Sequence, residues 1–348
     1  MRNYRLGDAD LDARLEALVD DAVSGERHGD HEHDDDLIAE LLVTGLKMLR
    51  DDPYRADLKL ANSALKEMRY SFLVFSRYRE TPKVTIFGSA RTPPHDPNYG
   101  LASEFARMMS DERGWMVITG AGPGIMEAGN LGAGPGLSFG VNIRLPFEAE
   151  ANPHVHESRL INFKYFFTRK LMFMKESNGF ALFPGGFGTQ DECFELLTLI
   201  QTGKSPMAPI VMVEEPGTGY WKGWRAFIDS LEKHHMISAD DRGLFSFAGS
   251  AAEAAEEICG FYRNYHSQRY VDGTLILRLR QEPSPELVAA LNDEFGDILT
   301  DSKIEAVEAS PAELRDDDHV DLPRLSVPFN RRGLARLRQL IDHLNKAV

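Results

Sequence analysis

Gly179-Phe180-Ala181-Leu182-Phe183-Pro184-Gly185-Gly186-Phe187-Gly188-Thr189-Gln190-Asp191-Glu192 is the stretch on which the reading of this chain turns. Phe180 to Phe183 is an apolar run of strand length, and Pro184 ends it. Gly185, Gly186 and Gly188 follow. From Thr189 onward Cys193, Leu196, Leu197 and Ile200 recur at helical spacing, so the pattern predicts strand, glycine turn, helix. Glycines let backbone N–H groups approach an anion, and a helix N-terminus adds unpaired donors and partial positive charge. Thr189 is placed to cap the helix and to donate its hydroxyl to a phosphate. Glu192 lies one turn further in, beside the same mouth. A phosphate cradle with a carboxylate next to it is the functional reading. The plain alternative is a tight turn in which Thr189 and Glu192 form a capping box.

Working outward, 348 residues suffice for one large α/β domain with appendages or for two domains. A net charge of −15 argues against a general binder of nucleic acid or of anionic membranes, so an anionic substrate must be held by local donors. Cys193 and Cys259 are the only cysteines, which leaves no disulfide framework and no cysteine zinc site. Met1-Arg2-Asn3-Tyr4-Arg5 leads into charge, and no apolar run approaches about 20 residues. A soluble cytoplasmic protein is expected.

Residues 1–36 are polar and end in an acidic, histidine-bearing run. His31 and His33 could bind metal there, but a solvated linker is the favoured reading. Residues 37–50 and 57–79 read as amphipathic helices, marked by Leu37, Leu41, Leu42 and Leu46 and by Leu58, Leu65, Met68, Phe72 and Phe75. Residues 1–80 therefore form a helical extension. From Lys83 to about residue 265 strands alternate with helices, which predicts a parallel sheet covered on both faces. The strands expected are 83–87, 115–119, 137–143, 180–183 and 209–213. The helices expected are 99–111, 125–133, 162–175, one after Thr189, 219–234 and 250–265. Residues 266–348 read as a small α+β appendage, with strands at 273–279, 304–307 and 325–327 and helices at 284–299 and 331–346.

Two further glycine turns close strands: Gly88-Ser89, and Gly120-Ala121-Gly122-Pro123-Gly124. The second is a weak dinucleotide fingerprint, because no acidic residue clearly closes the next strand. No Walker A pattern is present. Arg169 and Lys170 sit side by side in an otherwise apolar helical segment. Neighbours on a helix point about 100° apart, so the two cannot do the same job.

Pro-Gly-Gly-x-Gly-Thr-x-x-Glu at 184–192, with Gly88-Ser89, the 119–127 turn and Arg169-Lys170 in order, resembles the signature of the LONELY GUY (LOG) family, often mislabelled as lysine decarboxylases. The resemblance covers about residues 83–235. It implies a Rossmann-like fold and a nucleoside 5′-monophosphate phosphoribohydrolase, which splits a nucleotide into free base and ribose 5-phosphate. It puts the catalytic roles on Arg169 and Glu192. The substrate-binding set is Gly88, Ser89, Gly120, Gly122, Gly124, Lys170, Gly185, Gly186, Gly188 and Thr189. It also implies a homodimer or higher homo-oligomer. Gly-Ala-Gly at 120–122 and Gly124-Ile125-Met126-Glu127 match the longer bacterial AMP-nucleosidase-type members better than the short plant type.

Departure of a base from ribose builds oxocarbenium charge, which a nearby carboxylate stabilises while orienting water. Glu192 is the candidate, and Arg169 a permanent cation for phosphate or ribose oxygens. No cofactor or metal is called for. Lysine decarboxylation would need a Schiff-base lysine, and none lies in the glycine turns. His154 and His156 could line a base pocket, although an ordinary loop is favoured, and Cys193 reads as a small buried helix residue. A non-catalytic nucleotide sensor stays open as the alternative function.

Overall fold

The computed structural model describes residues 4–23, 35–144, 151–300 and 302–348, so His31 and His33 lie outside the described residues. The chain divides into two compact units between Lys66 and Glu67. The first contains α1 (Ala9–Val23), α2 (Asp35–Arg50) and the beginning of α3 (Arg55–Phe75). α1 falls in the segment expected only to be polar, where acidic residues of its first turn, Asp10 and Asp12, suit a helix N-terminus. Asp12 accepts from Leu6 N–H at 2.8 Å. The face of α2 that is buried carries Ala39 and Val43, whereas Leu37, Leu41, Leu42, Leu46 and Leu49 are exposed.

The second unit runs through β1 (Lys83–Phe87), α4 (Pro97–Arg107), β2 (Met116–Thr119), α5 (Ile125–Ala133), β3 (Ser138–Ile143) and β4 (Leu160–Phe163). α6 (Phe166–Glu176), β5 (Gly179–Leu182), α7 (Phe187–Gln201), β6 (Ile210–Val213), α8 (Tyr220–Lys233), β7 (Ser246–Ala248) and α9 (Ala251–Gly260) follow. These seven strands form one parallel sheet in the order β4-β3-β2-β1-β5-β6-β7. The fold is Rossmann-like, as expected. The strand order reverses between β1 and β5, where a crevice opens at the strands' carboxyl ends.

Alternation along each strand divides the apolar side chains between two cores. Val84 and Ile86 of β1, Ala181 of β5 and Val211 of β6 face α4, α5 and α9, whereas Phe87, Phe180, Leu182 and Met212 face the other side with Met172, Cys193 and Trp221. That burial on both faces is why the central strands read as continuous apolar runs.

Three sequence expectations are corrected. Residues 162–163 belong to β4, and the helix starts at Phe166, because β4 is a four-residue edge strand whose burial alternates and whose Asn162 faces out. β7 and the polar β8 (Tyr265–Val271) gave no apolar signal. The helix expected over 250–265 is α9, ending at Gly260.

Beyond β8 come β9 (Thr274–Leu279), α10 (Pro285–Glu294), β10 (Glu305–Val307), α11 (Pro311–Arg315), β11 (Arg324–Val327) and α12 (Leu334–Lys346). The strands form an antiparallel sheet in the order β10-β11-β9-β8. Leu337, Leu340, Ile341 and Leu344 of α12 share one apolar core with Leu196 and Ile200 of α7. Among the described residues no helix is long and apolar enough to cross a membrane.

Candidate functional site

The loops leaving β1, β2 and β5 are stitched together by their backbones. Ser89 N–H donates to the Pro184 carbonyl at 3.0 Å, and Ile125 N–H donates to the Ser89 carbonyl at 3.0 Å. Gly124 has φ +68°, and a Cβ there would run into the Ser89 carbonyl, so this contact requires glycine. The second turn is held from beneath. Thr119 donates its hydroxyl to Asn130 at 2.6 Å, and Asn152 donates its amide to Asn130 at 3.0 Å and to the Gly122 carbonyl at 3.1 Å.

A cavity of about 620 Å³ opens over these loops, a size that holds a small ligand. Its walls include Gly88, Ser89, Gly120, Arg169, Gly185, Gly186, Gly188, Thr189 and Glu192. Nine of the twelve residues singled out from the sequence thus meet at one place. Gly122, Gly124 and Lys170 do not line it: the two glycines shape the turn behind it, and Lys170 points to α7. Neither His154 nor His156 lines it; His156 accepts from Ser158 N–H at 3.2 Å instead. Cys193 faces the core, where burial pushes its thiol up to about 12.

The helix after the glycine turn begins at Phe187, two residues earlier than the sequence suggests. Its N-cap is Gly186, with no side-chain cap. Thr189 is therefore no cap and no half of a capping box. Its side chain packs on Gly185, where a Cβ would collide with it. Among the described residues the first amides of α7 are consequently left without a side-chain acceptor, the arrangement that suits an anion. Tyr220 of α8 steadies the loop: its hydroxyl donates to the Gly185 carbonyl at 2.5 Å and accepts from the Gln190 amide at 2.8 Å.

Glu192 is 6% exposed, and its Oε2 is buried with no hydrogen-bond partner among the described residues. Burial raises its carboxyl from 4.5 to about 7, against the pull of Lys170 and Arg169, with Glu195 and Asp191 pushing the same way as burial. Arg169 lies across Gly120, where an added Cβ would meet its guanidinium, and donates through Nε to the Val141 carbonyl at 2.9 Å. Glu67 secures the start of α6, accepting from Lys164 N–H at 3.0 Å and from the Thr168 hydroxyl at 2.6 Å.

Sequence reasoning missed Arg91, Met126, Phe166 and Phe187 as wall residues. Arg91 could have been noticed as the cation two positions after Ser89. Phe187 is 97% exposed at the rim, and an aromatic inside a glycine turn is its one sequence signal. The site combines backbone donors, two arginines and one carboxylate poised near neutrality. It suits a small anion bound beside Glu192.

A family profile described as "Possible lysine decarboxylase" matches residues 121–258. The chain is 33% identical over 92 residues to cytokinin riboside 5′-monophosphate phosphoribohydrolase LOG1 of Arabidopsis thaliana, covering 26% of this chain and 41% of that one. It is 30% identical over 146 residues to the cytokinin riboside 5′-monophosphate phosphoribohydrolase of Mycobacterium tuberculosis, covering 41% of this chain and 75% of that one. The chain thus spans under half the length of the plant relative and three quarters of the mycobacterial one. Among solved structures, the molybdenum cofactor binding protein of Rippkaea orientalis aligns over 51% of this chain and 94% of its own, at 17% identity and TM-score 0.38. The molybdenum cofactor carrier protein of Chlamydomonas reinhardtii aligns over 51% and 94% at 22% identity and TM-score 0.37.

Proposed function

The chain belongs to the LONELY GUY (LOG) family, and on that premise we propose that it hydrolyses the N-glycosidic bond of an AMP-like nucleoside 5′-monophosphate to free base and ribose 5-phosphate. The observation that carries the reading is the buried Glu192 carboxylate, whose Oε2 has no hydrogen-bond partner among the described residues, in the wall of a cavity rimmed by glycine turns. In this reading the 5′-phosphate takes the open amides of Gly186 to Gly188 and the Thr189 hydroxyl. Arg169 and Arg91 add charge that binds phosphate or ribose oxygens. Held there, the sugar presents its anomeric carbon to Glu192.

The bond from that carbon to the base nitrogen breaks, and its electron pair leaves with the base, which takes up a proton. Ionised Glu192 stabilises the oxocarbenium charge, orients a water and accepts its proton as the new carbon–oxygen bond forms. Activity should accordingly rise with pH through about 7, where the carboxyl loses its proton.

Glu127, which follows Gly124-Ile125-Met126 where the short plant-type members carry glycine, supports kinship with the longer AMP-nucleosidase-type members. The exposed leucines of α2 support assembly into a dimer or larger oligomer. Purified protein incubated with a panel of nucleoside monophosphates should release free base from at least one purine monophosphate. Release from none, with the protein folded, overturns the proposal.

A further inference from the structure

Arg169 and Lys170 diverge as neighbours on a helix must. Arg169 turns to the cavity. Lys170 turns to α7, where its ammonium lies 3.0 Å from the Asp191 carboxylate and pairs also with Glu195. Its side chain is only 14% exposed, so the ammonium is largely withdrawn from water, while Asp191, 62% exposed, and Glu195, 32% exposed, meet it from the solvent side. Asp191 precedes Glu192 and Glu195 follows it by one turn. Lys170 therefore grips α7 on both sides of the carboxylate in the cavity. Three carboxylates crowd this turn, and Lys170 and Arg169 are the cations that act on Glu192.

We infer that Lys170 is a positioning residue that holds the Glu192 turn of α7 against α6 and offsets the charge of the acids on either side of Glu192, rather than a ligand of the substrate. The inference rests on the proposed role of Glu192. Among the described residues the charged groups that act on Glu192 are Lys170 and Arg169 from α6 and Asp191 and Glu195 from its own helix, and Arg91 shares the cavity wall with it. Burial favours the protonated carboxyl, Lys170 and Arg169 oppose it, and the two acids reinforce it. Lys170 in turn stays charged despite burial because Glu195 and Asp191 bind it.

Opposite shifts follow for the two halves of the pair. Lys170→Met should move the pH of half-maximal kcat upward by about one pH unit. At pH 7 that lowers kcat about fivefold, and near pH 9 the deficit closes, with KM little changed. Glu195→Gln should move the midpoint downward, and Lys170→Arg should restore it. The same midpoints are read without substrate as the pH dependence of the melting-temperature difference between each protein and its Glu192→Gln counterpart. Midpoints that stay in place in Lys170→Met, or that move the same way in Lys170→Met and Glu195→Gln, overturn the assignment. If Lys170→Met does not fold, the direction of the Glu195→Gln shift decides. If no nucleotide is hydrolysed by any variant, the melting curves still decide the Lys170 assignment while the proposed activity fails separately.

Discussion

Glu192→Gln exchanges a buried carboxyl for a neutral group of nearly the same shape. In the folded protein the carboxyl ionises at about 7, against 4.5 in its ordinary state. The native state thus holds this proton more tightly than the unfolded chain does. Between those two values stability falls as pH rises, because the unfolded chain releases the proton first. By linkage, the wild type gives up about 3 kcal/mol at pH 8 and under about 1 kcal/mol at pH 5. Glutamine carries no such charge, so the variant should be the more stable protein at pH 8 by about that amount. For a unit of this size the gain corresponds to a melting temperature higher by about 5 °C at pH 8, and by under about 2 °C at pH 5. Circular dichroism melts of both proteins across pH 5 to 8 measure it directly. The same substitution should remove most turnover while leaving nucleotide affinity within a few-fold. A residue that destabilises the fold and is indispensable to the reaction is the signature expected of a strained functional group. A variant that melts lower than wild type at pH 8, or a difference independent of pH, would refute the burial reasoning.

Other consequences follow from the same geometry. Arg169→Lys should lower kcat/KM by about a hundredfold, since an ammonium cannot both reach Val141 and present a planar fork; steady-state kinetics report it. Gly185→Ala forces a Cβ into Thr189, and should raise KM for the monophosphate more than about tenfold with a smaller effect on melting. Glu67→Ala strips the acceptor from Lys164 N–H and Thr168, and should destabilise the fold by about 1 to 3 kcal/mol, read by thermal melting. Ala121 has φ +57° and is fully buried, so Ala121→Val should lower stability by about 2 kcal/mol or more, whereas Ala121→Gly should be close to neutral.

The central strands were legible because burial on both faces leaves a run of apolar residues with a glycine or proline at its end. Lys83–Phe87 and Phe180–Phe183 are of this kind. β4, β7 and β8 were not legible, since edge strands of half-exposed residues carry little pattern. The glycine turns and Glu192 could be placed at strand ends from sequence because a parallel sheet brings those ends together. The divergence of Arg169 and Lys170 was legible as an angle. Their destinations were not, since they depend on the Val141 carbonyl and the acids of α7, contacts set by packing between elements distant in sequence. The start of α7 at Phe187 was missed because glycines at 186 and 188 read as turn rather than helix.

The central claim joins a phosphate-binding loop to a carboxylate that attends bond cleavage. It is tested most directly by comparing base release from a nucleoside 5′-monophosphate with release from the corresponding nucleoside, in the wild type and in Glu192→Gln. A phosphate held by the 185–189 loop predicts kcat/KM at least about a hundredfold higher for the monophosphate, with Glu192→Gln nearly inactive on both. Equal kcat/KM for AMP and adenosine, or base release by Glu192→Gln at the wild-type rate, would contradict it.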